Sequence, residues 1–134
     1  MSDDTMLDLL KDRARKVARG AYAPYSEFKV GAAAVFRNTV GGYEFAVGGN
    51  IENASYGITM CAECAMIADA FRQSRQPTLI KVVTCDPNGN YLAPCGRCRQ
   101  LMAEHSDENT LFWRGGEDFV TLEQLLPGAF TIEK

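Results

Sequence analysis

The chain has no surplus of positive charge: 14 lysines and arginines stand against 17 aspartates and glutamates, a formal net charge of −3. Nucleic acid or an anionic membrane needs a dense basic surface, so neither a polynucleotide nor a membrane partner is expected. No stretch approaches the ~20 apolar residues of a transmembrane helix. Residues 1–10 carry Asp3, Asp4 and Asp8 where a secretory signal needs a basic segment and then an apolar one. Internal repeats, low-complexity segments and linkers are missing too. At 134 residues the expectation is one domain, 1–134, with a single proper core. Histidine is nearly absent. The one copy, His105, falls at the end of an expected helix and is read as complementing its dipole. The 5 cysteines are an odd number that suits a reducing compartment, so a cytoplasmic location is expected.

What is present has the pattern of an α/β protein. Met6, Leu7, Leu10, Ala14, Val17 and Ala18 recur at helical spacing over residues 3–19, with Asp3 or Asp4 as the expected cap and Gly20 as the stop. A strand is expected over 28–36, its middle made unusually small by Gly31-Ala32-Ala33-Ala34, which marks the close approach of a ligand, a helix or another backbone. After Gly41-Gly42 the chain returns as a strand over 43–49. A polar loop over 50–57 leads to a helix over 61–73, and the apolar run 79–85 reads as a central strand. A helix to about residue 105, a short strand over 111–113 and a capped helix over 121–126 complete the order. Met60, Met66 and Met102 are expected in the core, and Cys85 as an inert buried thiol. This alternation suggests an α/β sandwich around a mixed sheet.

The remaining four cysteines form two pairs of equal spacing, Cys61-Ala62-Glu63-Cys64 and Cys95-Gly96-Arg97-Cys98. Each pair lies where a loop becomes a helix, so N–H groups and the dipole favour thiolates there. Residues i and i+3 share one face of a helical turn, so either pair can reach one ion. Four thiolates make a closed structural zinc site, and three leave a position for water. Glu63 favours the open reading, because a hydrolytic site needs a proton carrier beside its water. Asn50 and Glu52, just upstream, are the kind of polar groups that bind sugar hydroxyls.

Cys61-x-Glu63 followed by Pro94-Cys95-x-x-Cys98 matches the zinc-deaminase signature in its three-cysteine form. The blocks Tyr25-Ser26-x-Phe28-x-Val30-Gly31-Ala32-Ala33, Asn50-Ile51-Glu52-Asn53-Ala54-Ser55-Tyr56-Gly57, Pro94-Cys95-Gly96-Arg97-Cys98-Arg99-Gln100 and Leu125-Leu126-Pro127-x-Ala129-Phe130 lie in order along nearly the whole chain. Together they resemble the small, tetrameric cytidine deaminases.

That resemblance implies a three-layer α/β/α sandwich with a mixed five-stranded sheet and hydrolysis of cytidine and deoxycytidine to uridine and deoxyuridine in pyrimidine salvage. It implies that Cys61, Cys95 and Cys98 hold Zn²⁺, with water as the fourth ligand. Glu63 is the implied proton carrier. Asn50 and Glu52 are implied to meet the ribose, Phe28 to pack on the base, and the Ala62 backbone to meet the base edge. Ala54, Tyr56 and Phe130 are implied to act from neighbouring subunits of a homotetramer. Cys64 departs from the pattern: most relatives carry Arg there, which tempers the thiolate charge. The expectation is that Cys64 lies near the metal without being a ligand; Arg97 and Arg99 are read first as a solvated helix face, with an offset of the missing charge by either as the alternative. A blasticidin S deaminase shares the Pro-Cys-Gly-Arg-Cys block, but the intact 28–31 and 50–53 blocks argue against it. A four-cysteine interaction module leaves Glu63, Asn50 and Glu52 without duties.

Overall fold

The computed structural model describes residues 2–132. Met1, Glu133 and Lys134, at the ends of the expected domain, lie outside them. The first helix, α1 (Asp3–Arg19), buries Leu7, Leu10, Ala14 and Ala18, the stripe that their spacing dictates. Its cap is Ser2 rather than Asp3 or Asp4: Ser2 Oγ accepts from the Thr5 N–H at 3.2 Å. Both aspartates instead occupy the first turn, where negative charge suits the dipole, and Gly20 closes the helix.

Five strands form one mixed sheet in the order β2-β1-β3-β4-β5. The strand β1 (Gly31–Arg37) pairs antiparallel with β2 (Tyr43–Gly49) and with β3 (Thr78–Cys85). Next come β4 (Leu111–Trp113), parallel to β3, and β5 (Phe119–Thr121), antiparallel to β4. The fifth strand is absent from the hydrophobic pattern because three residues are too short to alternate visibly before the next helix starts. The expected strand over 28–36 begins only at Gly31. Residues 28–30 are held instead by the Asn50 amide, whose Oδ1 accepts from Val30 N–H at 2.9 Å and whose Nδ2 donates to Phe28 C=O at 2.9 Å. One side chain thus stands in for a strand partner.

Two side-chain layers follow from the period of two along β1. Ala33 and Val35 meet Leu7, Leu10 and Ala14 of α1, while Ala32, Ala34 and Phe36 meet the other helices. Those are α2 (Ala62–Gln73), α3 (Gly96–Glu104) and, beside β5, the short α4 (Leu122–Leu125). Thr121 and Gln124 form the expected capping box on α4. The result is an α/β/α sandwich. Met66 and Met102 are in its core, but Met60 is exposed, because it lies in an isolated bridge with Ile51 outside the sheet.

Small residues set how closely the helices approach. A Cβ on Gly31 would lie 2.0 Å from Ala14 C=O. A Cβ on Gly48 would lie 2.2 Å from Met66 N and 2.5 Å from Ala62 O. Backbone is met in both cases, so neither position accepts a side chain without moving a helix. Gly48 therefore fixes the height of the first turn of α2, the turn that carries Glu63. Further along α2, Asp69 Oδ2 accepts from Val47 N–H at 3.0 Å and Gln73 Nε2 donates to Phe45 C=O at 2.8 Å, tying the helix to β2.

Candidate active site

The two cysteine pairs, 34 positions apart in sequence, meet because α2 and α3 both begin at the same end of the sheet. Cys61 is the N-cap of α2 and Cys95 the N-cap of α3. The sulfur atoms of Cys61, Cys95 and Cys98 all lie within 4.8 Å of one another. A tetrahedral zinc with ~2.3 Å bonds sets its sulfurs about 3.8 Å apart, a spacing compatible with that bound. Cys64 is not part of the group. Arg99 does not face the thiols: its guanidinium donates to the carbonyls of Pro94 at 3.0 Å and Leu125 at 3.4 Å. Arg97 is exposed.

The thiols differ in their acidity without a cation. Burial pushes Cys61 and Cys98 up, reinforced by the negative charge of Glu63. Burial alone would raise Cys95 too, but the N–H groups of Cys98 and Arg97 and the two neighbouring thiols bring it below the ordinary value. Three sulfur donors, two of them costly to ionise unaided, suit a soft or borderline cation that supplies the missing positive charge.

Beside the cluster lies a cavity of about 210 Å³ between the 28–30 segment that precedes β1, Thr84 near the end of β3, the 92–95 segment that leads into α3, and the first turn of α2. Glu63 enters it from α2 and is only 4% exposed. Burial pushes its carboxyl up, against partial relief from a backbone N–H and the Cys98 thiol. A carboxyl so placed exchanges a proton more readily near neutral pH than an exposed one. Ala62 follows Cys61 in the first helical turn, where backbone N–H groups have no partner within the helix, and it also lines the cavity. Phe28, 56% exposed, forms part of the rim. Burial leaves Cys85 outside the site, its thiol pushed up to about 11 and thus inert.

Asn50 and Glu52 do structural work first. The Asn50 amide uses one N–H on Phe28 and one acceptor position on Val30, which leaves its second N–H and second lone pair. Glu52 Oε1 accepts from the N–H groups of Tyr25 at 3.0 Å and Ser26 at 3.1 Å, and Oε2 accepts from the Ser26 hydroxyl. The Ser26 hydroxyl and these N–H groups hold the Glu52 carboxyl below its usual range. A carboxylate has about four acceptor positions, so one remains free. Together the two side chains fix the 25–30 loop that carries Phe28. Glu27, at φ 59° and bonded to Ala23 C=O at 3.0 Å, turns that loop back.

A second cavity, of about 230 Å³, is lined by Tyr25, Ser26, Glu52, Tyr56 and Thr59. Thr59 is a wall of both cavities. Tyr56 packs edge-on against Tyr25 with ring centroids 5.9 Å apart. Ala54, Tyr56 and Phe130 do not line the metal-side cavity of their own chain; all three are exposed, Tyr56 by 73% and Phe130 by 68%. Val30, Thr59, Thr84, Leu92 and Ala93 also form the cavity wall, beyond the site residues expected from sequence. For Thr84 a signal was available: it is the hydroxyl in the otherwise apolar end of the run 82–85.

The comparisons agree with this geometry. The family model of the cytidine and deoxycytidylate deaminase zinc-binding region matches residues 5–113. The cytidine deaminase of Mycobacterium tuberculosis is 39% identical over 130 residues, 97% of this chain and 93% of that one. The cytidine deaminase of Halalkalibacterium halodurans is also 39% identical, over 93% of this chain and 94% of its own. The crystal structure of the M. tuberculosis enzyme superposes with a TM-score of 0.83 at 38% identity, covering 94% of this chain and 98% of that one. With a family match across the cysteine pairs and full-length relatives of the same architecture, the chain belongs to the cytidine deaminase family.

Proposed function

We propose that residues 1–134 act as one catalytic domain that hydrolyses the C4 amino group of cytidine and deoxycytidine, giving uridine or deoxyuridine and ammonia. The observation that carries this reading is a buried carboxyl, Glu63, two positions after Cys61 of a three-thiol cluster and lining a cavity of about 210 Å³. Cys61, Cys95 and Cys98 would hold Zn²⁺. Bound there, zinc acts as a Lewis acid that makes a nucleophile available from water near neutral pH.

The remaining chemistry belongs to the chain. Glu63 accepts the proton released by the attacking water and delivers it to N3 of the cytosine ring. It then carries the second proton to the departing amino nitrogen, so water and cytidine balance uridine and ammonia. Its raised proton affinity suits a group that must both take and give. The Ala62 N–H addresses the polar edge of the base and Phe28 packs on the ring. Asn50 and Glu52 meet the ribose, chiefly its 3′-hydroxyl, with Glu52 using the acceptor position that the loop leaves free. Such recognition reads the 2′ position weakly and admits the deoxynucleoside.

Exposed Ala54, Tyr56 and Phe130 suit a homotetramer in which each copy completes a neighbour's pocket. No helix among the described residues is long and apolar enough to cross a membrane. The acidic balance supports neither a membrane nor a polynucleotide as partner, and the cysteine usage fits a cytoplasmic salvage enzyme. The test is the ultraviolet absorbance of cytidine, deoxycytidine, CMP and blasticidin S on adding the zinc-loaded protein. The spectrum shifts for the first two and stays constant for the others. A constant cytidine spectrum sinks the reading.

A further inference from the structure

Thr84 lies near the end of β3 with its Cα opposite Ala32, on the side of the sheet that faces α2 and α3. It is 4% exposed, and the exposure that remains opens into the cavity shared with Glu63 and Cys95. Its backbone is fixed, since Thr84 C=O accepts from Leu92 N–H at 3.2 Å within the bridge region beside the strand. Its side chain is β-branched and so has little rotamer freedom. Yet among the described residues no donor or acceptor meets its hydroxyl, although that oxygen is not sealed from the cavity. The surrounding wall is largely apolar, with Val30, Leu92 and Ala93 among its members.

A nearly buried hydroxyl without a protein partner is unfavourable unless something that enters the cavity satisfies it. We infer that Thr84 is a substrate-binding residue whose hydroxyl hydrogen-bonds the polar edge of a pyrimidine ring seated in the cavity. The inference rests on the reading of the cavity as a cytosine-nucleoside site, and it adds an orienting contact from the sheet to those from α2. A hydroxyl can donate to a ring carbonyl or accept from an amino group, so one rigid side chain serves both the amino-bearing substrate and its carbonyl-bearing product.

The test compares the zinc-loaded wild type with Thr84→Val, which keeps the shape and removes the hydroxyl, and Thr84→Ser, which keeps the hydroxyl. KM and kcat are measured for cytidine, and thermal melting is followed with and without uridine. The expected result is a KM raised about 2- to 12-fold in Thr84→Val, the ordinary weight of one hydrogen bond. Thr84→Ser stays within about twofold of wild type. Without ligand, Thr84→Val melts no lower than wild type, because the hydroxyl contributes nothing to the empty fold, and its stabilisation by uridine shrinks. An unchanged KM in Thr84→Val overturns the inference. So does a Thr84→Val protein that fails to fold or melts several degrees lower without ligand, since the hydroxyl then serves the fold. A wild type that leaves cytidine unchanged fails at the functional reading itself and takes this inference with it.

Discussion

The two Cys-x-x-Cys pairs are the same in spacing and in placement, each with its first cysteine as the N-cap of a helix, yet they end differently. Cys98 is buried with its sulfur in the cluster, whereas the equivalent Cys64 is half-buried and outside it. Successive residues of a helix are rotated by about 100°, so only one of Glu63 and Cys64 can face the cavity. Contact with Gly48 holds the first turn of α2 so that Glu63 is the one turned inward. The corresponding Gly96 and Arg97 of α3 are exposed, and among the described residues nothing beyond its own turn of chain lies within 4 Å of a Cβ built on Gly96. Spacing determines which residues are able to share an ion. The rotation of the helix against its sheet determines which ones meet.

The comparison breaks most completely at the cluster. Cys98→Ser is expected to leave less than a tenth of the wild-type zinc per chain, by metal analysis of the purified protein, and no measurable turnover. Full zinc occupancy would mean that Cys64 can take the place of Cys98 and that the pairs are interchangeable. Glu63→Gln should keep its zinc and lose on the order of 10²- to 10⁴-fold in kcat, the range of a positioned proton carrier. Near-normal turnover would return Glu63 to the role of a helix-surface residue.

A third experiment separates the thiols by their reactivity. With metal removed by a chelator, iodoacetamide at pH 7 should modify Cys95 ahead of the two buried thiols, Cys85 and Cys98, by about tenfold or more in rate, read by peptide mass spectrometry. The sign follows from the thiolate as reactant. Cys95 lies below the ordinary thiol value and ionises more at pH 7, while burial holds Cys85 at about 11. The raised Cys85 value also stabilises the fold below the unfolded thiol's value near 9, a contribution lost as pH rises through 11. Rapid labelling of Cys85 would contradict its burial. The smallest effect belongs to Cys64→Ser: three sulfurs by X-ray absorption before and after, and kcat within about threefold. Loss of one sulfur would mean a closed four-thiolate site.

Much of this arrangement was legible in the order of residues. The α1 stripe, the β1–β2 hairpin and the capping box at Thr121 each follow from local rules, and the family is visible from blocks that local rules do not explain. What was not legible is what depends on distant partners. Residues 28–30 look like strand because Phe28 and Val30 alternate, but the Asn50 amide takes up the hydrogen bonds that a neighbouring strand would supply. The strand β5 is three residues long and gains its identity only by pairing with β4. Glu52 reads from sequence as a sugar ligand, and its three contacts to Tyr25 and Ser26 show that it also builds the loop. Thr84 has no local signature beyond being polar among apolar neighbours.

The bonds from Asp69 and Gln73 to β2 have a consequence beyond holding a helix in place. β2 is an outer strand of the sheet, and Val47 N–H and Phe45 C=O are the groups that a foreign strand would seek. The chain's own helix has already occupied them. At the other border, β5 offers only three residues. Both borders are thus poor templates for extending the sheet from one molecule into the next, and runaway stacking of strands is disfavoured.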